Sequence, residues 1–185
     1  MKMLDNPATL DASTSFDVRE GFNYAFDFCE ERLRKNRSEV IRSFRQGNKP
    51  THSYFRYGLA KKIGAYLGSF SESLFEVYIH GSSVKDKSGP GSDIDIIILV
   101  DHKLEPFKLL LFKLNDEIEF FYNELMKRDF FAGGFSSFLD AKLVNRSEYE
   151  SRMGFGAVIN SANKAPIKIW DSRESESYED LMAVV

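Results

Sequence analysis

The sequence predicts a mixed α/β, or α+β, domain, and three observations carry that reading. Apolar residues recur at helical spacing in two regions before residue 70 and in one long region after residue 104. Two apolar runs of strand length, Phe75–His80 and Ser92–Val100, follow one another with a Gly- and Ser-rich loop between them. More strand-like segments come after the long helix. The predicted order is therefore helix, helix, strand, strand, helix, strand, helix, strand.

Each element has its own local reason. Residues 1 to about 15 are small and polar and are expected to be poorly ordered. Asp17 with Glu20 three residues on fits a helix start. Phe22, Ala25, Cys29 and Leu33 then form one apolar stripe, which makes Cys29 a core residue rather than a reactive thiol. Val40, Ile41 and Phe44 continue helical character up to a break at "QGNKP". Phe55, Leu59, Ile63 and Leu67 mark the next helix, with Gly68 expected to close it. A long helix is expected from Leu104 to about Lys127, its stripe running from Phe107 through Leu114 and Ile118 to Leu125. A Gly-Gly turn and a strand from Phe135 to Asn145 follow. Ser147 and Glu150 have the spacing of a capping box for another helix, and Pro166–Trp170 reads as a last strand. The division expected is an N-terminal segment 1–50, a core 51–170 and a tail 171–185 whose apolar end, Leu181–Val185, suits a partner contact.

Composition narrows the function. A net charge of −3 speaks against a dedicated nucleic-acid binder. The single cysteine excludes an intramolecular disulfide and a thiolate-only zinc site. His52, His80 and His102 show no metal-binding pair spacing. There is neither an apolar run of membrane length nor a secretory leader, so a reduced, cytoplasmic protein is expected. Seventeen phenylalanines point to an aromatic core or partner surface.

The chemistry concentrates in "YIHGSSVKDKSGPGSDIDIIILVD", residues 78–101. Asp93 and Asp95 stand inside the most apolar run of the chain, where carboxylates need a partner. Side chains alternate along a strand, so Asp93, Asp95 and Ile97 share one face and Ile94, Ile96 and Ile98 the other. Two such carboxylates, about 6–7 Å apart, repel by roughly 2–3 kcal/mol at an effective dielectric near 20. The sequence holds no Lys or Arg between Lys87 and Lys103, and a divalent cation such as magnesium is the economical compensation. Gly81 permits close backbone approach, the N–H groups and hydroxyl around Ser82 and Ser83 make an anion cradle, and Lys85 adds positive charge. A phosphate cradle beside a dicarboxylate is a layout for phosphoryl or nucleotidyl transfer.

Gly81-Ser82, ten residues, then Asp93-Ile94-Asp95 resembles the G-S-x(10)-D-x-D pattern of the minimal nucleotidyltransferases of the DNA polymerase beta superfamily. The resemblance implies a small mixed sheet flanked by helices, here with an N-terminal helical extension. It implies magnesium or manganese and a nucleoside triphosphate, ATP first, whose nucleotidyl group passes to a hydroxyl with release of pyrophosphate. Gly81, Ser82, Ser83, Lys85 and Ser92 are the nucleotide-binding candidates, and Asp93 and Asp95 the metal ligands. The family's third carboxylate, on a later strand, is expected at Asp140, on a face shared with Phe138 and Lys142. Lys85-Asp86 stands where many members have Arg-Gly. A protein or small-molecule acceptor fits better than RNA, and minimal members include antitoxins that transfer AMP to a partner toxin. Tyr54 and Tyr57 are candidates for stacking on a base but fit core or surface roles better, and His80 reads first as a strand-end residue. The competing expectation is a nucleotide- or partner-binding module of the same fold without turnover. It gains if Asp140 points away from the other two acids.

Overall fold

The computed structural model describes residues 15–70, 73–103, 105–127, 137–163 and 165–173. The expectations for the first 14 residues, the Gly-Gly turn and the apolar tail lie outside these residues. Asp17 caps α1 (Val18–Leu33) by accepting the Glu20 N–H at 3.0 Å. Asn36 and Glu39 form a reciprocal capping box for α2 (Arg37–Arg45). The break before α3 (Lys49–Phe70) is short, because Pro50 is taken into the first turn, where its missing N–H is no loss. Gly68 does not close α3, which runs on to Phe70. Instead it makes room, since a Cβ there would overlap the Trp170 ring.

The sheet holds four strands in the order β3-β2-β1-β4. β1 (Leu74–Ile79) is antiparallel to both β2 (Ile94–Val100) and β4 (Ile167–Asp171), whereas β2 and β3 (Leu139–Asn145) run parallel. A parallel neighbour needs a long crossover, and α4 (Glu105–Met126) supplies it. β2 starts at Ile94 rather than Ser92, because the Ser92 carbonyl accepts from the Arg56 guanidinium instead of joining the sheet. Phe138 likewise stands in a bend ahead of β3. Its ring turns into the helix-side core, 4.4 Å from Tyr122, and not onto the face of Asp140.

The two faces of β2 behave as alternation requires. Ile94, Ile96 and Ile98 join the main core under the helices, while Ile97 and Leu99 pack with Tyr78 and Val144 on the opposite face. Two short helices, α5 (Arg146–Glu150) and α6 (Phe155–Ile159), cover part of that second face through Tyr149, Val158 and Ile159. The capping box of α5 is Asn145 with Glu148, not Ser147 with Glu150, because β3 passes directly into the helix.

The abundant phenylalanine fills the helix-side core. Phe55 is the hub, with ring centres at 5.2 Å from Phe22, 4.9 Å from Phe26 and 4.7 Å from Phe44. Cys29 is fully buried beside them, and burial pushes its thiol up to about 12, consistent with a core role.

Candidate active site

The parallel register sets Asp95 opposite Asp140, and Asp93 precedes β2 by one residue. One carboxylate oxygen from each of Asp93, Asp95 and Asp140 lies within 4.8 Å of the other two. All three residues are half-buried. Burial first, and then the charges of Asp93 and Asp140, raise the proton affinity of the Asp95 carboxyl above the ordinary aspartate range. His80 and Lys142 oppose that rise. Three hard oxygen donors converging at this separation, in a place that disfavours their shared charge, fit a divalent cation.

The loop from β1 to β2 closes over this cluster. Gly81 has φ +74°, and a Cβ on it would run into Asp95 Oδ2, so glycine is required twice over. A single turn of 3-10 helix, Gly81–Val84, follows; the sequence had shown only a loop there. Ser82 Oγ lies 3.1 Å from Ser88 Oγ, and the buried Ser83 hydroxyl accepts from the same Ser88 at 3.3 Å. Ser92 Oγ accepts the Gly89 N–H at 2.9 Å. Of the five nucleotide-binding candidates, Gly81 and Ser82 thus stand beside the carboxylates' strand at partly open positions. Ser83 and Ser92 have their hydroxyls engaged inside the loop, and the Lys85 side chain is exposed at its rim.

Three residues that the sequence did not single out fix this loop from the helices. Ser53 Oγ accepts the Ser88 N–H at 3.1 Å. The fully buried Arg56 donates to Ser92 O at 2.7 Å through Nη2 and at 3.0 Å through Nε. The Tyr122 hydroxyl donates to Pro90 O at 3.1 Å. On the open face, Lys142 pairs with Asp140 (Nζ to Oδ1, 2.7 Å). His80 hydrogen-bonds through its backbone N–H to Asp95 O at 3.1 Å, and its buried Nε2 has no hydrogen-bond partner among the described residues. Its ring lies 6.2 Å from that of Phe155.

One comparison with known proteins bears on this region of the chain. Residues 61–130 match the family model of the nucleotidyltransferase domain. This stretch is similar to a nucleotidyltransferase domain. The family supports a transferase activity, general transfer of a nucleotidyl group, consistent with a minimal nucleotidyltransferase of the polymerase beta-like superfamily. The matched stretch includes Gly81, Ser82, Ser83, Lys85, Ser92, Asp93 and Asp95, and it ends before Asp140. No curated protein and no solved structure matches the chain. Among the described residues no helix is long and apolar enough to cross a membrane.

Proposed function

We propose that the protein is a metal-dependent nucleotidyltransferase that passes a nucleoside monophosphate, AMP first among them, from a nucleoside triphosphate to a hydroxyl of a protein or small molecule. The observation that carries this reading is the meeting of Asp140 with Asp93 and Asp95 across the β2–β3 pair. It favours turnover over the binding-only module, which would have Asp140 turned away.

Asp93, Asp95 and Asp140 would hold magnesium or manganese, whose charge neutralises phosphate oxygens and favours ionisation of an attacking hydroxyl. Gly81 and Ser82 would hold the triphosphate tail, with backbone approach permitted by the missing Cβ. The acceptor oxygen bonds to the α-phosphorus, the α–β phosphoanhydride bond breaks, pyrophosphate leaves, and the hydroxyl proton departs toward Asp140 or water. The acidic net charge supports a protein or small-molecule acceptor over a polyanionic one.

The test is incubation with each labelled nucleoside triphosphate and magnesium or manganese, scoring pyrophosphate release and labelled product. Asp93→Asn and Asp140→Asn should each lower turnover by about 10²–10³-fold or more while the fold survives, because each removes a carboxylate that would hold the metal whose charge stabilises the reacting phosphate. Nucleotide affinity without pyrophosphate release, under every acceptor condition tried, would instead establish the binding module.

A further inference from the structure

Lys142 places a positive charge directly against the carboxylate cluster. It lies two residues after Asp140 in β3, so alternation puts both side chains on the face of the sheet that carries Asp95. Among the described residues it is the Lys or Arg that forms an ion pair with the carboxylate cluster. The pair is open to water: the side chains of Lys142 and Asp140 are 39% and 37% exposed. A pair so exposed is screened and separable. Lysine suits separation, since its ammonium is a compact charge on a flexible stem, with none of the two-point grip of a guanidinium on a carboxylate.

We propose that Lys142 is a displaceable counterion. It holds Asp140 until a divalent cation takes that carboxylate, and its released ammonium then acts on the phosphates of the bound nucleotide. This inference rests on the metal-dependent reading above. Its consequence is a pair of opposite effects: Lys142 competes with the metal and cooperates with the nucleotide.

The experiment uses Lys142→Met, which keeps length and removes charge, and Lys142→Arg, which keeps charge. Manganese is titrated into the nucleotide-free protein and followed by electron paramagnetic resonance of the ion. Lys142→Met should bind manganese about tenfold more tightly than the wild type, the direction expected when a like charge beside a partly solvated ion is removed. At saturating manganese, a non-hydrolysable triphosphate analogue should bind Lys142→Met about tenfold more weakly, through the lost charge on phosphate. Lys142→Arg should stay close to wild type in both titrations. A merely structural lysine would weaken both affinities together, and that outcome overturns the proposal. So does unchanged manganese affinity in Lys142→Met, or an Arg variant that behaves like the Met variant. In those cases the wild type still binds manganese and the metal-dependent reading stands. If neither the wild type nor either variant binds manganese, that reading falls and this inference falls with it.

Discussion

Asp95 sits where burial and two neighbouring carboxylates all act against its ionised form. A carboxyl whose pKa is higher folded than unfolded contributes stability below the unfolded value, here 3.8, and that contribution is lost as pH rises through the folded value. At neutral pH the metal-free protein therefore carries an unfavourable charge at this residue. Asp95→Asn should raise the melting temperature of the metal-free protein at pH 7 by about 2–4 °C, equivalent to about 1 kcal/mol. The gain should shrink as pH falls toward 3.8, and magnesium should stabilise the wild type but not the variant. Thermal unfolding at several pH values, with and without magnesium, checks this, and an Asn variant less stable than wild type at pH 7 would refute it. Asp171 has the opposite sign. Hydrogen bonds from Arg173 and from Lys168 hold its carboxyl well below the ordinary range. Its contribution is present above pH 3.8 and is lost on acidification through the lower folded value. Because the Asp171 side chain is buried, Asp171→Asn should cost about 2 kcal/mol at pH 7, read as a lower denaturation midpoint, and the deficit should close in acid.

The loop between β1 and β2 is an element positioned from outside itself, chiefly by Arg56 of α3. Its carbonyl partner, Ser92, immediately precedes Asp93, so the guanidinium sets where the first carboxylate stands. Arg56→Met should destabilise the protein by about 3 kcal/mol, the scale of breaking a buried charged hydrogen-bond set. It should also weaken nucleotide binding more than a surface substitution of equal thermal cost, and equal affinities would show that the anchor is only structural. Elements with a long period were legible in the sequence: the α4 stripe from Phe107 to Ile118 is buried as its spacing required. Helix α6 was not, because five residues are too few to show a period. The capping residues of α5 were misplaced because Asn145 and Ser147 both have a Glu three positions on, and only the length of β3 decides between them. Asp93 and Asp95 announced themselves as charges in an apolar run. Asp140 was expected only through the resemblance, with Lys142 on its face, because its place beside Asp95 depends on the parallel register of β2 and β3, which local sequence does not encode.

At the scale of the whole molecule, α1 and α2 share one apolar cluster with α3, α4 and the helix side of the sheet. The N-terminal segment had been expected as a unit separate from the core beginning at residue 51. Yet Phe22, Phe26 and Phe44 surround Phe55, which is fully buried, and Ala25 and Phe28 meet α3 at Gly58, where a Cβ would stand 3.0 Å from the backbone of Ala25. Three buried phenylalanines at roughly 1.5–3 kcal/mol each amount to about 5–9 kcal/mol of gross burial. That is comparable with the whole net stability of an ordinary domain, about 5–15 kcal/mol. A fragment of residues 51–173 would lose these contacts and expose Phe55, Leu59 and Ile63, all fully buried in the intact chain. It should therefore fail to unfold cooperatively and should expose apolar surface, whereas residues 15–173 should melt in a single transition. Amide hydrogen exchange on both fragments makes the comparison. Strong protection in β1 and β2 of the shorter one would show that the sheet and its site stand without the N-terminal helices. Loss of that protection would make α1 and α2 part of what holds the loop and its carboxylates in place, since α3 carries Ser53 and Arg56 on the same turns that receive the aromatic cluster.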